Sequence, residues 1–266
     1  MRELIAAQFP QWRAEPISPV ATSGWDNRSF HLGSDKIIRL PSAARYALQP
    51  EKEWRWLPHL ADHLQMPLPQ VLGKGQPSAQ YPFCWTVLSF VPGDTLRGQD
   101  SANIALANEV ATFLNALRRG PATDGPAAGR HNYYRRGDLR NYDQDLPHAL
   151  GQIGRSVDTE TVLKIWAIAC QSAWPHAPVW LHGDVAPGNL LAHEGRLAGV
   201  IDFGNSGIGD PACDLTIAWT FFEGAASDSF CETIALDKAP WARARGWARW
   251  KGCLDWAAGR PAAADL

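Results

Sequence analysis

Hydrophobic and polar positions in the first ninety residues follow a mainly strand-like pattern interrupted by one helix. Short apolar runs between turn-forming residues predict five strands. These are Pro19–Ala21, Ser29–Gly33, Lys36–Leu40, Gln70–Leu72 and Phe83–Phe90. Within Ala43–Leu64, leucines recur at steps of three and four residues, and this spacing predicts a helix that ends before Pro67.

Beyond Val91 the apolar spacing becomes mainly helical. Five helices are predicted, at 103–117, 139–150, 159–173, 210–222 and 241–256. Val179–Leu181 predicts a strand, and two apolar runs on either side of Glu194-Gly195 predict a hairpin ending near Ile201. The order indicates an α+β, bilobal, protein-kinase-like fold. We place the β-rich N-terminal lobe at residues 1–91 and the mainly helical C-terminal lobe at 92–266.

Composition and charge exclude several classes of partner. The chain is 45% hydrophobic with a formal net charge of −2 and has no basic run, so neither nucleic acid nor an anionic membrane is expected. The longest apolar stretch, Phe83–Val91, is too short to span a bilayer. The five cysteines are far apart and form no C-x-x-C pair, which favours a reducing, cytoplasmic location.

One constellation of polar residues indicates phosphoryl transfer. Asn189 follows Asp184 by five residues, and Asp202 begins an Asp-Phe-Gly triplet at the end of the predicted hairpin. This spacing is typical of the catalytic loop and metal-binding triplet of kinases. A carboxylate can accept the proton of an acceptor hydroxyl, while carboxylate and amide oxygens suit magnesium. We therefore predict Asp184 as the catalytic base, and Asn189 and Asp202 as metal ligands.

Each of these residues also has a purely structural interpretation. Asp184 alone could cap a turn, Asn189 could be a turn residue, and Asp202 could bond amides at a strand end. None of these interpretations predicts the hairpin that separates the residues. His182 is interpreted as a brace of the catalytic loop, with a proton relay as the alternative. Asp214 is expected to bond the backbone amides of that loop rather than a metal.

The run from His182 to Leu215 resembles the aminoglycoside-phosphotransferase family. It reads His-Gly-Asp, four residues and Asn, then Ile-Asp-Phe-Gly, then Gly-Asp-x-x-x-Asp-Leu. The resemblance covers residues 17 to 250, and its motifs are more specific in the C-terminal lobe. It implies a magnesium-requiring phosphotransferase that uses ATP or GTP and acts on a small-molecule hydroxyl, as in aminoglycosides or macrolides.

In the N-terminal lobe the resemblance implies a nucleotide site. The segment Ser23–Phe30 is similar to the family's nucleotide-covering loop, so Ser23, Gly24 and Asn27 are expected to bind the donor. The segment Tyr81–Pro92 is similar to the strand and hinge against which adenine stacks. Ser89 and Val91 are therefore expected beside the base.

Arg39 stands on the third strand, where the family usually has lysine. Its guanidinium can contact two phosphate oxygens in a fork, so we predict that Arg39 binds the donor phosphates. Lys36 is the alternative candidate for binding the phosphates. In a purely structural interpretation, Arg39 is a surface residue of the strand. The resemblance implies a glutamate that forms an ion pair with Arg39. This glutamate is Glu51 or Glu53, which lie on different sides of a helix. The match of Glu51-Lys52 to the family pattern favours Glu51.

The sequence leaves the acceptor open. A polycationic aminoglycoside requires carboxylates, and the candidates are Asp138, Asp143, Asp145, Asp158, Glu160 and Glu223. A macrolide requires apolar walls, for which the candidates are Trp166, Trp219, Phe221 and Phe222. Two further functions are a metabolite kinase of the choline, homoserine or sugar type and a nucleotide-binding regulatory module without transfer activity.

Overall fold

A computed structural model describes residues 1–21 and 24–260 of the chain. These residues form two compact units. The first unit contains Met1–Gly93 together with Gly199–Gly204, and the second contains Asp94–Ala198 and the chain from Asn205 onward. The first unit is built on a sheet and the second is mainly helical, which confirms the predicted α+β fold. No helix of the described residues is long and apolar enough to cross a membrane.

The first unit is a five-stranded antiparallel sheet with two helices. Its elements are α1 (Arg2–Gln8), β1 (Ile17–Pro19), β2 (Asn27–Leu32), β3 (Lys36–Pro41), α2 (Gln49–Ala61), β4 (Val71–Gly75) and β5 (Trp85–Ser89). The strands lie in the order β1-β2-β3-β5-β4, so β3 is central. Ile38 and Leu40 of β3 pack with Ile5 of α1 and with Trp85 in one buried cluster. This packing fixes the strand that carries Arg39.

The segment Gly199–Gly204 contacts the rest of the first unit through one hydrogen bond and two close approaches. Lys52 Nζ donates a hydrogen bond of 2.8 Å to the carbonyl oxygen of Gly204. A Cβ atom at Gly204 would lie 2.8 Å from Cδ of Gln49, and one at Gly199 would lie 2.5 Å from Cγ1 of Val91. Both glycines therefore permit an approach that a larger residue would obstruct.

The described part of the second unit contains six α-helices and five short strands. Its elements are β6 (Asp94–Thr95), α3 (Ile104–Arg119), α4 (Asp145–Ile153), α5 (Thr159–Ala169), β7 (Val179–Leu181), β8 (Leu190–His193), β9 (Arg196–Val200), β10 (Gly207–Gly209), α6 (Ile217–Thr220), α7 (Gly224–Ile234) and α8 (Lys238–Ala257). Asn103 caps α3 by accepting a 3.1 Å hydrogen bond from the Leu106 amide. Helix α3 packs against α7, while α4 and α5 pack against α8.

Three predicted helices begin with a 3-10 turn instead of an α-helix. These turns are Ala44–Tyr46 before α2, Leu139–Tyr142 before α4 and Pro211–Thr216 before α6. At the third, Asp210 is the N-cap, because its side chain accepts a 3.1 Å hydrogen bond from the Ala212 amide. Apolar spacing did not predict α1, α7, β6 or β10.

Candidate active site

In the second unit, Asp184 lies in a network with Asn189 and Arg135. Asp184 Oδ1 accepts a 2.6 Å hydrogen bond from Nη1 of Arg135, which also donates to the Gly183 carbonyl at 2.7 Å. Asn189 Nδ2 donates to the backbone oxygen of Asp184 at 2.9 Å and to its Oδ2 at 3.3 Å. The structure thus brings together the predicted residues Asp184 and Asn189. It adds Arg135, which was not predicted from the sequence.

Two buried side chains hold the backbone of this loop. Asp214 accepts hydrogen bonds from the amides of His182 at 2.6 Å and Gly183 at 2.7 Å. His182 Nδ1 accepts from the amide of Asp184 at 3.2 Å. Both predicted supporting roles are confirmed. Gly183 has φ of +82°, and a Cβ atom there would lie 2.6 Å from the Asn205 carbonyl oxygen, so this position requires glycine.

Positive charge surrounds the carboxylate of Asp184. Burial raises its pKa, but the charges of Arg135 and Lys251 oppose burial and hold the pKa below its ordinary value of 3.8. Asp184 is therefore ionised at neutral pH. A carboxylate with a low pKa is a weak base, so it is suited to orient a hydroxyl and to accept its proton late in the reaction.

Arg135 should control the pH at which Asp184 becomes protonated. In Arg135→Gln, burial remains while the main opposing charge is lost, so the pKa of Asp184 should rise. The predicted role of Asp184 requires the carboxylate, so activity should fall as pH drops through that pKa. The acidic limb of the kcat/KM profile should therefore move to higher pH, and Arg135→Lys should restore part of the shift. An unmoved limb in a folded Arg135→Gln enzyme would show that Arg135 does not act through Asp184.

In the first unit, Arg39 is buried between two carboxylates. Its Nη1 donates to Oε1 of Glu53, and its Nη2 donates to Oδ1 of Asp202 at 2.6 Å. Burial lowers the pKa of Arg39, but the charges of Asp202 and Glu53 raise it by a larger amount. The pKa therefore lies above its ordinary value, and the guanidinium stays charged. Asp202 has φ of +65°, a left-handed conformation that aspartate adopts more easily than most residues.

The predicted pairing of Arg39 with Glu51 is wrong, because Arg39 pairs with Glu53. Glu53 lies on the buried face of α2, whereas Glu51 is exposed and accepts a 2.8 Å hydrogen bond from Lys74. The alternative cation, Lys36, forms ion pairs with Asp35 at 2.5 Å and with Glu15 at 3.1 Å. Glu51 and Glu53 are two positions apart in α2, so their side chains point in directions about 200° apart around the helix axis. Only one of the two can therefore reach the strand that carries Arg39.

Replacing Arg39 should weaken donor binding. Arg39→Ala leaves Glu53 and Asp202 without their cation, which should raise the donor KM about tenfold or more and cost about 3 kcal/mol of stability. Arg39→Lys keeps the charge and should recover part of both losses. Lys74→Ala, which breaks the exposed Lys74–Glu51 pair, is the matched control. Normal donor kinetics in a folded Arg39→Ala enzyme would remove Arg39 from the donor site.

The other predicted donor residues have structural contacts or lie at the surface. Asn27 Nδ2 donates to Oε1 of Gln49 at 3.0 Å, and Gly24 is exposed. Ser89 Oγ accepts from the Gln70 amide at 2.8 Å, while Val91 is buried beside Gly199. Ser23 lies outside the described residues.

A small, solvent-open cavity lies beside Asp184. Its lining includes Arg135, Asp184, Cys213, Thr216, Trp247 and Lys251. None of the six carboxylates predicted for an aminoglycoside is among its lining residues, nor are the four aromatic residues predicted for a macrolide. Several of these carboxylates have other roles: Asp158 caps α5, and Asp143 accepts a 2.8 Å hydrogen bond from Nε1 of Trp166. Trp247, on α8, was not among the predicted acceptor residues.

Comparisons with known proteins identify the family of the chain. A family model described as the phosphotransferase enzyme family matches residues 17–253. An Escherichia coli aminoglycoside 3'-phosphotransferase is 46% identical over 222 residues, which are 80% of this chain and 78% of the relative.

Two solved structures share the fold. A GDP and kanamycin complex of an aminoglycoside phosphotransferase has a TM-score of 0.74 at 21% identity, covering 97% of this chain and 90% of the other. The apoenzyme of a macrolide 2'-phosphotransferase from Brachybacterium faecium has a TM-score of 0.62 at 19% identity, covering 92% and 87%.

Proposed function

Because the chain belongs to the phosphotransferase enzyme family, we propose that it transfers the γ-phosphoryl group of ATP or GTP to a hydroxyl of a small molecule. The observation that carries this proposal is the network around Asp184. An ionised, partly buried carboxylate is held by Arg135 and Asn189 on a loop that Asp214 fixes from behind. Asp184 would accept a hydrogen bond from the acceptor hydroxyl and orient its oxygen toward the phosphorus.

The donor is assigned to residues of the first unit. Arg39 would contact the α- and β-phosphates, and its two carboxylate partners keep the guanidinium in place. The segment from Ser23 to Asn27 would cover the phosphates, and Ser89 and Val91 would lie beside the base. The bonds from Asn27 to Gln49 and from Gln49 to Asp26 at 2.7 Å support this role by tying that segment to α2.

Magnesium fits the oxygen atoms that the chain offers. Asn189 uses Nδ2 for its hydrogen bonds, and Asp202 uses Oδ1 for Arg39, so Asn189 Oδ1 and Asp202 Oδ2 are available as ligands. No cluster of three or more metal-binding side chains occurs in the described part of the chain. Magnesium commonly takes one or two protein oxygens and completes its shell with water and phosphate. When bound, it would neutralise charge on the transferred phosphoryl group.

The names of the relatives make antibiotics the first acceptors to test. A metabolite kinase is the second candidate, because cations rather than extra carboxylates line the cavity beside Asp184. We also propose a cytoplasmic location. All five cysteines are free thiols, as expected in a reducing compartment that supplies nucleoside triphosphates.

An acceptor panel tests the proposed function. The enzyme is incubated with magnesium and ATP or GTP, with and without aminoglycosides, macrolides, choline and sugars. Nucleoside diphosphate release is measured, and phosphorylated acceptors are detected by mass spectrometry. Acceptor-stimulated turnover supports transfer. Nucleotide binding without acceptor-stimulated turnover across a broad panel would favour a regulatory module.

A further inference from the structure

The cavity beside Asp184 presents two cationic groups that the proposed function has not placed on any ligand. Both side-chain hydrogen bonds that Arg135 makes to described residues leave from Nη1, so Nη2 and Nε are not needed to hold Asp184. Lys251 Nζ lies 3.6 Å from Oδ2 of Asp255, beyond hydrogen-bond distance. Both side chains therefore have donors available to a ligand in the cavity.

The charge on the cavity wall favours an anion. Asp184 is the one carboxylate among the eight described residues that line the cavity, and it is already paired with Arg135. Burial raises the pKa of Cys213 well above its usual range, so this thiol adds no negative charge. Among the lining residues, Lys251 is thus a cation in excess of the carboxylate charge. Its ion-pair partner Asp255 lies outside the lining and is held more closely by Arg260, at 2.6 Å.

The helix that forms this wall is itself cationic. Helix α8 carries five cations, Lys238, Arg243, Arg245, Arg249 and Lys251, against the single carboxylate of Asp255. Arg243 is paired with Asp210 at 2.6 Å, and Lys251 is the one of the five that lines the cavity. Helix α8 also places Trp247 in the cavity lining. The centroid of the Trp247 ring lies 5.0 Å from that of Tyr142 and 5.4 Å from that of Trp250. This packing makes the wall rigid and aromatic, which suits the face of a ring or a sugar.

We propose that this cavity binds an acceptor carrying a carboxylate or phosphate group close to the hydroxyl that is phosphorylated, with Lys251 and the outer edge of Arg135 as its anchors. This inference rests on the proposed function, because it concerns the acceptor of the same reaction. An acceptor with an ammonium group at that position would meet two like charges and one carboxylate already in use. The cavity therefore selects against polycations near the reactive hydroxyl.

A matched set of hexoses tests the proposal, because its members differ mainly in charge. D-glucuronate, D-glucose and D-glucosamine are anionic, neutral and cationic, and kanamycin serves as a polycation. Transfer from magnesium-ATP is measured as kcat/KM, and binding of each compound is measured separately by calorimetry. We expect kcat/KM for glucuronate to exceed that for glucose about tenfold or more, the usual effect of one charge-assisted contact. Glucosamine should be the poorest hexose.

Variants of α8 locate the effect. Lys251→Met should reduce the preference for glucuronate over glucose about tenfold and should weaken glucuronate binding. Lys238→Met makes the same change at an exposed position of the same helix, outside the cavity lining, and should leave the preference unchanged.

Four results decide between the alternatives. A preference for glucosamine or kanamycin would overturn the inference while leaving the proposed function in place. An equal fall for all acceptors in Lys251→Met would overturn it too, because the cation would then act on Asp184 or on the donor's phosphoryl group and not on the acceptor. Glucuronate binding that depends on Lys251, without transfer to any acceptor, would retain the anion site and remove the proposed function. Neither binding nor transfer would overturn both.

Discussion

Replacing Asp184 by Asn is expected to reduce phosphoryl transfer by about 10²–10⁴-fold, the usual contribution of a positioned general base. The amide has the same shape but cannot accept the hydroxyl proton. It also leaves Nη1 of Arg135 without its charged partner. Nucleotide binding should change little, because the proposed donor residues do not include Asp184. Acceptor-dependent turnover and calorimetry of nucleotide binding separate the two effects.

A matched control for Asp184→Asn is Asp138→Asn. Asp138 is an exposed aspartate that also faces an arginine, Arg140, at 3.4 Å. This control should retain full transfer, since an exposed pair contributes little. Wild-type turnover in a folded Asp184→Asn enzyme would remove Asp184 from the mechanism.

Replacing Asp202 is expected to weaken nucleotide binding and to slow transfer. Groups that only support a metal ligand cost about 10–100-fold in affinity when they are removed, so a direct ligand should cost no less. Asp202→Asn and Asp202→Gly are the useful variants, because both residues tolerate the left-handed φ of +65° at this position. Calorimetry of nucleotide binding with and without magnesium measures the effect.

Asp202→Ala separates backbone strain from metal binding. Alanine removes the same carboxylate as glycine but also has a Cβ atom in a left-handed conformation, which costs about 1–2 kcal/mol. Its Tm should therefore fall below that of Asp202→Gly, while both lose magnesium-dependent binding. If magnesium dependence is unchanged in Asp202→Gly, Asp202 serves only as the structural partner of Arg39.

The sequence predicted best those features that depend on neighbouring residues. Asp184 and Asn189 are five residues apart on one loop, so their spacing alone brings them within hydrogen-bond reach. Asp214 was placed correctly against the loop because the Gly-Asp-x-x-x-Asp-Leu segment fixes where its helical turn begins. Strand and helix order followed from apolar spacing, although ends shifted by a few residues where 3-10 turns replaced α-helix.

Tertiary contacts between distant residues could not be predicted from that spacing. Choosing Glu53 over Glu51 depends on which face of α2 docks on the sheet, and an acidic pair two residues apart does not determine that face. Arg135 lies 49 residues before Asp184 in a segment where Tyr133, Tyr134 and Arg136 all have positive φ. The only sequence signal for Arg135 was an Arg-Arg pair, which is normally read as solvated surface.

Because Gly199–Gly204 belongs to the first unit, that unit is discontinuous in sequence. A fragment that ends at Gly93 would lack Asp202, so Arg39 would keep only Glu53, and Lys52 would lose the carbonyl of Gly204. The first unit therefore cannot be separated from the rest of the chain by a single cut. Deletions or insertions in the β8–β9 hairpin would act on Arg39 from more than a hundred residues away in the gene.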